Sequence, residues 1–335
     1  MKHNLVLFIM FVIVIVRLLC TDVGERIVGD GFVANYTSVF SHIREDLYLK
    51  LQMIYPSPHV ELLAGTVLGY DALSQVPTFN DILLRSGTIH VVVVSGFNIV
   101  LLFNFVETLV GSIYKFRNYL FALILTFMYA VFTGFGYPVI RAWFMSALSF
   151  SAKYLGLNVS QLHVVTFTGL LMLALSPLTL YELSFQLSFL AVIGLIVIGP
   201  VVTGVLEKSV SKASPLLNDF STSLAAQCAV WPLLSYNFGT VNLLSPFANA
   251  FVLWTIPRIT VLGLIAVCLI PLKQVSFLLS FVIYPFLDFF VEATTIFARI
   301  PVTSTVYKIS FLGAVYYYCL LVLVITLYHL RYASR

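Results

Sequence analysis

GTIHVVVVSGFNIVLL, residues 87–102, is apolar enough to enter a bilayer, yet it holds His90, Ser95 and Asn98 together with Gly87 and Gly96. A lipid-facing anchor gains nothing from such groups. Polar side chains at membrane depth are costly, and they face a cavity, a partner helix or a pathway. On an unbroken helix turning about 100° per residue, Asn98 falls between His90 and Ser95 on one polar arc. Ser95-Gly96 equally allows a break, a re-entrant turn whose free backbone groups line a cavity. Two readings stand for this stretch: hydrogen bonding that glues helices together, or the lining of a polar route through the membrane.

The surrounding chain is built for lipid. Of its 335 residues 60% are hydrophobic and 10% charged, and the mean hydropathy is +1.02. A soluble core of this size does not need so much apolar surface, whereas a polytopic membrane protein does. A spanning helix takes about 20 apolar residues, and the chain supplies about ten or eleven such runs. The expected fold is an all-α polytopic membrane helix bundle of that many spans, some broken or re-entrant. From Leu243 onward Pro246, Pro257 and Pro271 interrupt the pattern.

The organisation follows from charge. Residues 1–20 carry Lys2, an apolar run from Leu5 to Val16, Arg17 and Cys20. They read as an uncleaved first transmembrane helix, with lipoprotein-type cleavage before Cys20 as the rival. No A-x-A-like signal-peptidase site follows. Residues 21–86 contain eight acids against four bases, while residues from 87 onward hold twelve bases and six acids. The positive-inside rule therefore places 21–86 outside, as an extracytoplasmic or interfacial segment, and leaves 87–335 as the polytopic membrane domain. Within 21–86, Val39 to Ile54 alternates apolar and charged residues at helical spacing, as an interfacial helix would. Glu61 to Tyr70 contains GTVLG, a small-xxx-small pattern that permits close helix approach.

Few groups could carry chemistry. Arg141 lies four residues into a span in YPVIRAWFM. It either snorkels to the nearby interface or stands as a fixed positive charge at the mouth of a pathway, with Glu182 as a possible partner acid. Glu182 and Gln186 are i and i+4 and share a helix face, which also suits an N-terminal cap network. Gln227, Asn237, Asn242 and Asn249 are further polar groups in or near spans, and FGTVNLLSPFAN has the composition of a broken segment. The six histidines form no HxH or HExxH pair, and there is no GxSxG or phosphate-binding loop. The four cysteines are scattered through apolar segments without a CxxC. These patterns predict no catalytic residue, no metal and no cofactor.

Four of these segments, in order, resemble the membrane domain of ComEC-type competence proteins. SGTIHVVVVSGFNIVLL is similar to that family's Gly-x-x-His followed by Ser-Gly-Leu-His; GYPVIRAWFM resembles its Pro-x-x-Arg-Ala-x-x-Met. SPLTLYELSFQLSFLAVIGL resembles its Pro…Phe-Gln-Leu-Ser-Phe run, and AAQCAVWPLLSYNFGTVNLLSPFANAFVL its later Gln, Pro, Phe-Gly, Ser-Pro and Asn segment. The blocks span about residues 60 to 270. Asn98 stands where the family usually has His; Asn keeps hydrogen bonding but loses titration.

The resemblance implies an inner-membrane channel for single-stranded DNA in natural transformation, located in the bacterial cytoplasmic membrane. By position it implies a DNA pathway drawn from His90, Ser95, Gly96, Asn98, Arg141, Gln186 and Asn249, to which the helix face of Glu182 is added. Single strands bind to basic grooves with aromatic platforms, so Tyr129, Tyr137 and Trp143, near Arg141, are the stacking candidates. Expected partners are single-stranded DNA, membrane lipids, a DNA receptor, a cytoplasmic helicase and a further copy of the chain. Full-length relatives often carry an outer OB-fold domain and a metallo-β-lactamase-like domain. Residues 21–86 are too short for a complete OB domain, and no HxHxDH motif is present, so a nuclease is expected on a separate chain. Two other functions remain open: a transporter of another anionic or lipid-like substrate, and a non-conducting scaffold of an uptake complex.

Overall fold

A computed structural model describes residues 10–15, 28–92, 96–110, 115–209, 215–300, 304–306 and 308–333. In chain order the helices are α1 (Val28–Gln52), α2 (His59–Leu68), α3 (Pro77–Ser86), α4 (Ile89–Val92), α5 (Gly96–Val110), α6 (Phe116–Phe132), α7 (Tyr137–Tyr154), α8 (Gln161–Leu175), α9 (Leu183–Val197), α10 (Gly199–Ser209) and α11 (Pro215–Phe238). Strand β1 (Thr240–Asn242) precedes α12 (Ser245–Val252), α13 (Ile256–Cys268) and α14 (Lys273–Ala298). Strand β2 (Ser304–Val306) and α15 (Phe311–Ala333) follow. The all-α class expected from composition holds. The exception is one small antiparallel ladder, in which Thr240 pairs with Val306 and Asn242 with Ser304.

Local sequence explains the boundaries. Helix α2 stops at Gly69, whose φ of 65° is left-handed and needs no Cβ accommodation. Helix α7 begins after Gly136 with Pro138 in its first turn. Helix α8 starts at Ser160, whose hydroxyl accepts the His163 backbone N–H. The segment FGTVNLLSPFAN is broken as its composition predicts, into β1 and the Pro-initiated α12.

Four stretches among the described residues are long and apolar enough to cross a membrane: Ile89–Leu109, Ser245–Cys268, Lys273–Ala298 and Phe311–Tyr328. A fifth is the pair Leu183–Val197 and Gly199–Leu206, bent by 46°. His59–Leu68, Phe116–Phe132 and Gln161–Leu175 are apolar but shorter. The count of ten or eleven apolar runs is therefore larger than the count of full-length spanning helices. Polar side chains dilute some runs, and Pro and Gly shorten others.

The chain forms two compact units, each assembled from separated stretches. The first comprises Met1–Pro77, His90–Gln186 and Thr255–Asp288. In it α2 packs against α1 and α13, and α5 against α6, α7 and α13. All ten residues of α2 are buried. Both glycines of GTVLG are close-approach points, as the small-xxx-small pattern predicts. A Cβ on Gly65 would lie 2.9 Å from the Val92 carbonyl oxygen, and one on Gly69 2.6 Å from that of Thr133. Ile99, Phe103, Val106, Ala130 and Val139 form the apolar core between α5, α6 and α7, with Phe103 stacked on Phe150 at 4.6 Å.

The second unit comprises Thr78–Ile89, Leu187–Trp254 and Phe289–Arg335. Helix α11 packs against α10, α12 and α15. Ile198, Ala225 and Ala229 are its small apolar core. Gly194 lets α9 meet α11, since a Cβ there would stand 2.6 Å from the Ala229 methyl.

Candidate functional site

The last four carbonyls of any helix lack a helical donor. In α2 three side chains from three other helices supply donors at that end. Asn98 Nδ2 of α5 donates to the Thr66 carbonyl at 2.9 Å. The Tyr129 hydroxyl of α6 donates to Val67 at 3.1 Å, and Arg44 Nη1 of α1 to Gly69 at 3.2 Å. The Arg44 cation lies at the negative end of the helix dipole, where positive charge is stabilised. Burial pulls its guanidinium below the ordinary value, with Tyr70 acting in the opposite sense. The Asn98 side chain is fully buried, and its Oδ1 has no partner among the described residues. His90, by contrast, is exposed, so these two do not share one buried arc. Ser95 lies outside the described residues.

Gly96 opens α5 against the first turns of α7. A Cβ on Gly96 would stand 2.8 Å from the Ala142 Cβ and 3.1 Å from Arg141 Nη2. The missing side chain is what lets the Arg141 guanidinium lie there. Arg141 is only 9% exposed, and its Nη1 reaches Met145 Sδ at 3.6 Å. The snorkelling reading therefore does not describe this arginine. Glu182 is exposed, and the four ion pairs among the described residues do not join it to Arg141. Gln186 Nε2 instead donates to the Leu180 carbonyl at 2.8 Å, closing the 3₁₀ turn before α9.

The stacking candidates are placed in the packing of the first unit. Tyr129 is buried with its hydroxyl committed to Val67. Trp143 donates its indole N–H to Thr126 Oγ1 at 3.2 Å and packs on Phe127 with ring centroids 5.0 Å apart. Tyr137 is half-buried in the first turn of α7.

A second helix end in the other unit is closed in the same way. Asn242 Nδ2 donates to the carbonyls of Leu84 and Arg85 at the end of α3, at 3.1 and 2.8 Å. Ser245 Oγ donates to Gly87 at 3.1 Å, and Asn249 Nδ2 to Ser245 Oγ at 3.3 Å. Gly87 has φ 73°, and a Cβ on it would fall 2.6 Å from the Ser245 Cβ. Thus Gly87, Asn242 and Asn249, separate polar signals in the sequence, meet at one helix terminus.

Two buried ionisable side chains of α2 escaped the sequence reading. His59 is buried, with Nε2 3.2 Å from Asp288 Oδ1 and its ring stacked on Tyr284 at 4.7 Å. Glu61 is 3% exposed, and its Oε1 accepts from the Tyr48 hydroxyl at 3.3 Å. Burial first, then the neighbouring Glu61 charge, push the Tyr48 hydroxyl up. The available signal was an acid inside the otherwise apolar run HVELLAGTVL. Among the described residues no three His, Cys, Asp or Glu side chains gather as a metal-ligand set.

Comparison with known proteins adds a family. A model described as Competence protein matches residues 68–331. An uncharacterized protein of Aquifex aeolicus (strain VF5) is 28% identical over 229 residues, covering 62% of this chain. The chain spans 53% of that curated relative's length. No solved structure matches the chain.

Proposed function

The chain belongs to the competence protein family, and we propose that it forms an inner-membrane path for single-stranded DNA during uptake. The carrying observation is Arg141, a buried guanidinium that α7 presents against the side-chain-free Gly96. A permanent cation held among apolar helices is expensive unless it has work there. A phosphate backbone is the polyanion that such a group would meet, and Arg forks phosphate oxygens bidentately. In the same unit Asn98 and Gln186 fix helix ends and His90 is exposed. The family's role in DNA uptake favours DNA over a small anion or a lipid as cargo. A receptor, a helicase, a separate nuclease and a second copy of this chain are the partners such a path would need.

The test is complementation of a deletion strain with wild type, Arg141→Ala or Arg141→Lys at equal membrane abundance. Uptake of labelled DNA is expected to fall at least tenfold with Ala and partly with Lys. In the purified protein, single-stranded DNA binding should weaken steeply with salt, as phosphate contacts require. Normal uptake through Arg141→Ala would remove the arginine from the path. Intact DNA binding with unchanged uptake in both variants would favour a scaffold.

A further inference from the structure

The Glu61 carboxylate is a buried charge with little compensation among the described residues. It is 3% exposed, and a buried carboxylate requires a paired cation, a full set of hydrogen bonds or a proton. Its Oε2 has no partner among the described residues. Its Oε1 faces only the Tyr48 hydroxyl, at 3.3 Å. That hydroxyl also lies 3.2 Å from Gln75 Oε1, and Gln52 is within its hydrogen-bonding reach. Both separations exceed the roughly 2.7–2.8 Å usual for O–H···O bonds. Tyr48 has a single proton, which cannot satisfy two oxygens at once.

The Arg and Lys groups of α1 and α13, the helices that pack on α2, are already committed. Arg44 of α1 donates to Gly69, and Lys50 of α1 pairs with Asp46. His59 of α2 turns to Asp288 of α14. Arg258 of α13 lies over the Phe286 ring at 5.9 Å. None of the four ion pairs among the described residues includes Glu61. Glu61 sits in the first turn of α2, whose dipole offsets part of the negative charge. The dipole does not fill the lone pairs of Oε2.

A single negative charge beside the neutral Tyr48 hydroxyl, with the Gln75 amide oxygen next to that hydroxyl, matches a hard monovalent cation. A divalent ion would leave a net positive charge buried, and nitrogen or sulfur ligands for a transition metal are missing from the group. We propose that Glu61, Tyr48 and Gln75 form a binding site for an alkali cation of sodium size. Oxygen pairs slightly beyond hydrogen-bond length are what the edge of a small cation's cage presents. Gln75 is exposed while Tyr48 and Glu61 are buried, so the ion enters from the Gln75 side. Once bound it ties α1, α2 and the Leu73–Gln75 turn together and neutralises the interior charge. The inference does not rest on the DNA-path reading and stands or falls separately.

The full chain in detergent is melted in sodium, potassium and choline chloride at equal ionic strength. Sodium is expected to raise the apparent melting temperature of wild type by several degrees over choline, saturably, with potassium weaker. Glu61→Gln should melt in choline no lower than wild type and lose the sodium response. Tyr48→Phe and Gln75→Ala should keep the fold and move the sodium midpoint to about tenfold higher concentration, and they carry the test if Glu61→Gln does not fold. A wild type indifferent to the cation, or a Glu61→Gln that keeps the response, overturns the proposal. So does stabilisation in choline on acidification with no sodium effect, which would make Glu61 a carboxylic acid.

Discussion

The Tyr317 hydroxyl donates to the Cys228 carbonyl at 3.0 Å. Cys228 lies four residues before Pro232, which sits inside α11 and has no N–H to give it. The next hydroxyl, of Tyr318, donates to the Ala229 carbonyl at 2.9 Å. Neighbouring side chains re-satisfy a proline-freed backbone in membrane helices because water cannot. Tyr317→Phe should therefore destabilise by about 1–3 kcal/mol, the penalty of leaving a part-buried carbonyl without a donor. In a Pro232→Ala background, where the N–H returns, the same change should cost clearly less. A double-mutant cycle read by unfolding in mixed micelles checks the coupling.

Asn98→Leu keeps the volume but leaves the Thr66 carbonyl without its donor. A loss of about 1–3 kcal/mol follows from the buried, unpaired acceptor. Asn98→His, which retains an N–H donor, should lose less. Thermal unfolding of the two variants side by side separates the hydrogen bond from simple packing.

Gly87 and Gly156 both have left-handed backbones, with φ of 73° and 67°. A Cβ on Gly87 meets Ser245 and the Asn242 carboxamide below 3 Å, whereas one on Gly156 meets nothing within 4 Å. Gly156→Ala should therefore show only the conformational penalty, about 1–2 kcal/mol. Gly87→Ala should exceed it by about 1–3 kcal/mol of overpacking. Equal losses would mean that the α3 terminus relaxes freely around Asn242.

The hydroxyl of Tyr55, between α1 and α2, is buried without a partner among the described residues, and desolvation pushes it up to about 12. The unfolded phenol titrates near about 10. Between those values the unfolded chain has released a proton that the folded one retains, so stability falls as pH rises. It is fully present below about pH 10. Tyr55→Phe should be neutral or stabilising at neutral pH and should show a shallower alkaline loss. Melting temperatures on both sides of about pH 10 decide this.

Helix class, the break at FGTVNLLSPFAN and the close approach at GTVLG were legible in the sequence because each is a local pattern. The partners were not. Asn98 reads as a polar residue at helical spacing from His90, but its bond goes to a carbonyl 32 residues away whose need arises from where α2 ends. Arg141 reads equally as snorkelling or inward, and only Gly96 on another helix decides for inward. Charge counting treats Glu61 like the exposed Asp71 beside it in the tally, because burial comes from α1 and α13 packing on α2. Tyr129 and Trp143 look like platforms until their polar tips are seen bonded to Val67 and Thr126.

Helix α2 also constrains the order in which the protein is made. Its ten residues span about 15 Å, half the hydrocarbon thickness. It is apolar but, with His59 and Glu61 in its first turn, too short to span the bilayer alone. Its terminal carbonyls obtain Asn98 and Tyr129 only after α5 and α6 have been synthesised. A ribosome-bound chain stalled before residue 129 is therefore expected to leave α2 more open to proteolysis than the complete chain, whose Asn98 and Tyr129 close its end.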